Sequence, residues 1–137
     1  MKSISKDWDQ FLIDVGYSDK DVEYYMENII DTPEFSVIAG KVIDIKNKIY
    51  YKAQSKIHGQ GVFAARNIKK GDTIGVAIGL ENKVKYRSYL GRFANHSSLK
   101  NTIFEELDSK EVVAICVKDI GVGGEILVDY RDHWGKW

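Results

Sequence analysis

Beyond Pro33 the chain is cut into short apolar runs with turn residues between them, and no stretch is long enough for an ordinary helix. The runs read "VIDI", "IYY", "GVFAA", "DTIGVAIG", "EVVAICV" and "EILVDY", separated by clusters of Gly, Asp, Asn and Lys. Short β-type segments with no long helix inserted dictate a mostly β body. Lys46-Asn47-Lys48, between "VIDI" and "IYY", reads as a hairpin turn, and Lys70-Gly71-Asp72 as a turn entering a strand. There is no internal repeat and no low-complexity tract.

The first thirty residues follow a different period. Trp8, Phe11, Leu12 and Val15 fall on one stripe of a helix, and Gly16 stands where a C-terminal cap belongs. Ser18 can cap a second start, with Asp19 and Asp21 in its first turn, where negative charge opposes the helix dipole favourably. Val22, Tyr25, Met26 and Ile29 repeat the spacing, and Thr32-Pro33 ends it. An amphipathic hairpin packed on the main body is the plain reading; a cleft-shaping or dimer-forming hairpin is the sharper one. The expected class is therefore mostly β with some α (α+β), with residues 1–34 a helical extension and 35–137 the main domain. At 137 residues the chain fits one such domain with its appendage.

A single cysteine, Cys116, excludes an intramolecular disulfide and a cysteine-based zinc cluster. It points to a reducing, intracellular setting: cytoplasmic, or nuclear in a eukaryotic host. No apolar run approaches the roughly 20 residues that span a membrane, and the N-terminus reads as helical and charged rather than signal-like. Twenty basic residues balance twenty acidic ones. Composition thus carries no basic footprint for nucleic acid, and neither nucleic acid nor membrane is an expected partner.

Three stretches carry chemistry. "SKIHGQGVFA" (55–64) sets two glycines around Gln60; "GRFANHSSLKN" (91–101) crowds hydrogen-bonding side chains between apolar runs; "GGEILVDYRDHW" (123–134) ends an apolar strand on Tyr130. Each alone is ordinary: a turn before a strand, a loop with local side-chain bonds, a strand end with a rim tyrosine. In this order, G-x-G-V-F-A, N-H-S-x-x-x-N and G-x-E-I-x-x-D-Y resemble the SET domain of protein-lysine methyltransferases. "IKKGDTI" and "AICVKDIGVGGEI" match further segments of that family, and the resemblance covers about residues 49 to 134. The short tail ending in Trp134 and the lack of flanking cysteines are most like the compact, viral-type members.

The resemblance implies a SET-domain β-clip in which the C-terminal segment threads under a loop near the N-H-S motif. It implies S-adenosyl-L-methionine as cofactor. Gly59, Gln60 and Gly61 would lie against its methionine end, Arg92, Phe93, Asn95 and His96 along its other side, and Trp134 on its adenine, with His58 and Tyr130 also among the cofactor-binding residues. It places the catalytic hydroxyl on Tyr130, beside a substrate lysine of a protein or peptide, histone or other. Phe104 and Val128 would line the lysine channel. Neither bears a hydroxyl to hold water there, which implies more than one methyl added. The family's usual channel tyrosine is here Ala77, so Tyr86 or Tyr89 would have to stand in, and the segment from Leu80 to Gly91 is shorter than the usual substrate-holding insert. No metal is implied: His58, His96 and His133 lack a metal-binding spacing. The chain would act as a monomer or homodimer. The rival reading is a non-catalytic SET-like β-clip module that binds a partner peptide; Tyr130 beside Asn95 and His96 favours the enzyme.

Overall fold

A computed structural model of the chain describes residues 41–132. The helices expected in residues 1–33, and His133 and Trp134, lie outside the described residues. Within them run nine short strands: β1 (Lys41–Ile43), β2 (Tyr50–Gln54), β3 (Gln60–Ala64), β4 (Thr73–Glu81), β5 (Val84–Ser88), β6 (Asn95–His96), β7 (Thr102–Glu106), β8 (Val112–Cys116) and β9 (Leu127–Val128). One helix, α1 (Tyr89–Phe93), and a 3-10 turn, Tyr130–Asp132, complete the described body. Among the described residues no helix is long and apolar enough to cross a membrane.

The larger sheet has the order β1-β5-β4-β8-β7. β4 and β5 form a hairpin closed at Glu81↔Val84, with Asn82 (φ 52°) and Lys83 (φ 66°) both left-handed. Two left-handed central residues match the right-handed twist of the flanking strands. The expected hairpin at Lys46-Asn47-Lys48 does not form. Asn47 does turn the chain (φ 58°), but β1 pairs in parallel with β5, while β2 pairs with β3 in a separate two-stranded sheet. Turn chemistry dictates that a chain reverses; it does not choose the strand edge that is met afterwards. β2 finds a five-residue register with β3, from Tyr50↔Ala64 to Gln54↔Gln60.

Alternation places the core. On β8, Val112, Ala114 and Cys116 are buried, while Val113 and Ile115 between them are half-buried. Val62 and Ala64 of β3, Leu90 of α1, and Ile126 and Val128 near the C-terminus complete the cluster. Each large aliphatic side chain there contributes about 1.5–3 kcal/mol by leaving water.

The "GRF" of the polar stretch is not loop but the end of α1. Ser88, fully buried, caps the helix by accepting from the Gly91 amide, and donates to the Val76 carbonyl at 2.6 Å. At Gly91 the helix backbone rests directly on β4, because a Cβ there would lie 2.1 Å from the Ala77 oxygen. The cap and the missing side chain explain a helix where residue type alone suggests a solvated loop.

The segment from Gly123 to Tyr130 lies between two others. Toward β3, the Ala64 amide donates to the Gly124 carbonyl (2.8 Å) and the Ile126 amide to the Val62 carbonyl (2.8 Å). Toward the polar stretch, β9 pairs in parallel with β6, and the Ser97 and Asn101 amides donate to the Val128 and Leu127 carbonyls at 3.0 and 3.1 Å.

Candidate active site

Asn95 and His96 make up the two-residue strand β6 and are both buried. The Asn95 side-chain amide donates to the His58 carbonyl (2.9 Å) and to Glu125 Oε2 (3.0 Å), with the Gln60 carbonyl further off at 3.4 Å. Glu125 also accepts from the Ser55 hydroxyl at 3.0 and 2.9 Å, and that hydroxyl accepts from the Ile57 amide. A Cβ on Gly61 would meet Glu125 Oε2 at 2.4 Å and Asn95 Nδ2 at 3.2 Å. A side chain at Gly61 would therefore push the Glu125 carboxylate away from its place beside Asn95. Gly59 differs: its φ is 45°, and a Cβ there would meet nothing within 4 Å.

Asn101, the last asparagine of N-H-S-x-x-x-N, holds the C-terminal segment with both ends of its amide. Nδ2 donates to the Glu125 carbonyl and Oδ1 accepts from the Leu127 amide, each at 2.9 Å. Its own carbonyl takes the Val117 amide at 2.8 Å. One side chain therefore supplies the partners that a crossing of two buried chain segments needs.

Tyr130 is held at two points. Its backbone amide donates to His96 Nδ1 at 3.1 Å, and its hydroxyl donates to the Ala94 carbonyl at 2.9 Å. A backbone N–H can only donate, so His96 Nδ1 is the acceptor and the neutral ring carries its proton on Nε2. The Asp129 carboxylate, 3.5 Å from the same Nδ1, is therefore a neighbour and not a bonded partner of the neutral imidazole. Burial would raise the Asp129 carboxyl, but bonds from the Arg131 side chain (2.8 and 2.7 Å) and amide, with attraction to the Arg131 charge, hold it below the usual carboxylate range. The Asp129–Arg131 pair closes the turn that carries Tyr130. The His96 and Tyr130 rings lie 5.4 Å apart, tilted by 53°.

The remaining expected site residues fall into separate groups. Tyr89 and Phe93 pack edge to face on α1 at 5.6 Å, with Lys52 Nζ 4.8 and 4.9 Å from their ring centres and the Arg92 guanidinium 5.1 Å from Phe93. Tyr86 lies across Gly79 on the sheet, where a Cβ on that glycine would be 2.3 Å from the ring. Ala77 is fully buried in the core, as is Val128, and Phe104 packs half-buried against it, opposite Ala114. His58, Gly59, Gln60, Gly61, Asn95, His96, Val128 and Tyr130 are thus joined by direct bonds, chain neighbourhood or strand register. Sequence reasoning missed Ser55, Glu125 and Asn101 as site-building residues. The last two lie inside the motifs that carried the resemblance, and only the partners they reach across the fold reveal their part. Among the described residues no group of three or more His, Cys, Asp or Glu side chains is placed to hold a metal ion.

No protein-family model matches this sequence, and no curated protein matches it significantly. Solved structures do. The chain of the Chaetomium thermophilum Polycomb Repressive Complex 2 in an autoinhibited conformation bound to S-adenosylmethionine aligns with a TM-score of 0.51 and 18% identity, over 64% of this chain and 16% of that one. The same complex with H3K27me3 and H3K27M aligns at 0.50 and 17% identity, over 61% of this chain and 14% of that one. A Plasmodium falciparum chain provisionally named a histone methyltransferase aligns at 0.47 and 22% identity, over 63% of this chain and 95% of that one. The matched region is therefore a small part of the much longer Polycomb chain. What the likeness shows is the fold, a mixed β and α body of the SET-domain-like β-clip type.

Proposed function

We propose that the protein is an S-adenosyl-L-methionine-dependent protein-lysine N-methyltransferase, a compact SET domain over residues 35–137 with a helical extension at 1–34. The observation that carries this reading is the double fixing of Tyr130, by His96 at its amide and by the Ala94 carbonyl at its hydroxyl, inside a SET-domain-like fold. A peptide-binding scaffold has no need to aim a phenol in this way.

The residues present fit the cofactor. Gly59 presents an open backbone face, and the neutral His96 ring carries its proton on Nε2. Both amide hydrogens of Asn95 are engaged with the 58–61 loop and Glu125, so Asn95 meets a ligand through Oδ1. When bound, the cofactor supplies an electrophilic methyl group on a sulfonium.

The chain's own residues do the rest. A phenol that donates its proton to a carbonyl presents oxygen lone pairs to anything else, so Tyr130 accepts a hydrogen bond from the incoming amine and orients its lone pair. The substrate lysine must arrive neutral, against an ordinary pKa of about 10.4, which apolar surroundings such as Val128 and Phe104 favour. Alignment of this kind accounts for several orders of magnitude in rate.

A histone-tail lysine is the first substrate to try, because a structurally similar chain occurs in complex with H3K27me3 and H3K27M. The test is incubation with methyl-labelled S-adenosylmethionine and histones or a protein extract, followed by mapping of the label. Label on lysine is the expected result. Absence of cofactor binding by calorimetry, at high cofactor and neutral pH, would overturn the enzyme reading and leave the peptide-binding module.

A further inference from the structure

Three segments far apart in sequence meet at one carboxylate. Glu125 sits between the tip of the β2–β3 hairpin and β6, with Ser55 Oγ at 3.0 and 2.9 Å and Asn95 Nδ2 at 3.0 Å. Its backbone is held independently, since its carbonyl accepts from Asn101 and Phe63↔Glu125 is an isolated bridge to β3. The side chain is thus aimed from a fixed point. Ser55 in turn orders the hairpin tip: its hydroxyl takes the Ile57 amide at 2.9 Å, and its amide donates to the Gly59 carbonyl at 2.8 Å. Gly61, with no Cβ, lets the carboxylate approach the β3 backbone.

We propose that Glu125 is a positioning residue, whose carboxylate bridges Ser55 and Asn95 and so sets the 55–61 loop in the conformation that receives the cofactor. Hydrogen bonding explains why a carboxylate stands there. Two oxygens accept from a hydroxyl and an amide at once, which an apolar side chain cannot do. Glutamine can do most of it, with Oε1 accepting from Asn95 and Nε2 donating to Ser55 Oγ. The cofactor half of this inference rests on the reading of the preceding section; the loop half does not.

The test compares Glu125→Ala, Glu125→Gln and Ser55→Ala in the full chain by two measurements. The first is amide hydrogen exchange at Ile57 without cofactor. Glu125→Ala and Ser55→Ala should speed it at least about tenfold, with β4 and β8 amides unchanged, because only the local opening free energy falls. Glu125→Gln should exchange near the wild-type rate. The second is calorimetric binding of S-adenosylhomocysteine, which Glu125→Ala should weaken about tenfold or more and Glu125→Gln should largely restore, since a displaced loop misaligns its donors. If Glu125→Ala does not fold, Glu125→Asp draws the carboxylate back by one methylene while leaving Ser55 Oγ as the acceptor of the Ile57 amide, and its Ile57 exchange decides the matter. Unchanged Ile57 exchange in the alanine variants would overturn the positioning role, as would Glu125→Gln behaving like Glu125→Ala. Should the wild type bind no S-adenosylhomocysteine, the methyltransferase reading fails, and Ile57 exchange still judges the loop.

Discussion

Tyr130 and Asp129 stand next to each other and do different work. Tyr130→Phe removes one hydroxyl that donates to Ala94 while leaving the His96 bond to the backbone amide intact. Under the proposed function the variant should fold and bind S-adenosylhomocysteine like the wild type, yet lose about a hundredfold or more in kcat, as expected when one oriented polar group leaves a reacting centre. Wild-type turnover on a lysine substrate would remove Tyr130 from the chemistry. For Asp129 the prediction concerns pH. Its folded carboxyl lies below its ordinary value, so its contribution to stability is present above the unfolded pKa and is lost as pH falls through the lowered folded value. Urea midpoints taken from about pH 5 downward should fall more steeply for the wild type than for Asp129→Asn below about pH 4. Parallel curves would show that the Arg131 pair contributes nothing.

At the level of elements, two contacts decide how the strands and α1 sit on each other. Gly91→Ala forces a methyl group toward the Ala77 carbonyl, 2.1 Å away, so either α1 or β4 must shift. The expected loss is about 1–3 kcal/mol, read as a lower urea midpoint at unchanged slope. Gly121→Ala is the control, since a Cβ there meets nothing within 4 Å, and its midpoint should stay or rise slightly. Asn101→Ala leaves the Glu125 carbonyl and the Leu127 amide without their side-chain partner, and should cost about 1–3 kcal/mol. An Asn101→Ala protein as stable as wild type would mean that the strand pairings alone hold the C-terminal segment.

At the scale of the whole body, the proposed lysine channel would draw on two sheets, since Phe104 comes from β7 and Val128 from β9. Phe104 is half-buried against the core rather than sealed in it. Neither residue carries a hydroxyl to anchor water beside the amine, so the proposed enzyme should proceed past monomethyl-lysine. Phe104→Tyr adds one hydroxyl, and mass spectra of the product should show it stalling at one methyl while the wild type gives two or three. Identical product distributions would return Phe104 to a purely packing role. Ala77, buried in the core, and Tyr86, lying across Gly79, bear on the same question. A tyrosine in place of Ala77 would not fit that site without displacing the core.

The sequence by itself determined the mixed β and α class of the fold and singled out three stretches of unusual chemistry. Apolar runs as short as "VVAIC", bounded by turn residues, suit strands rather than helices, and G-x-G, N-H-S-x-x-x-N and D-Y, each ordinary alone, draw notice through their order. Which atoms those residues bond was decided only by the tertiary structure. Asn95 spans to His58 and Glu125, and Asn101 spans to Glu125 and Leu127, across separations that local chemistry does not encode. The same holds for β1 and β2, whose intervening turn was legible but whose partners, β5 and β3, were not. A turn or a polar side chain states a local requirement, and long-range packing selects the group that meets it.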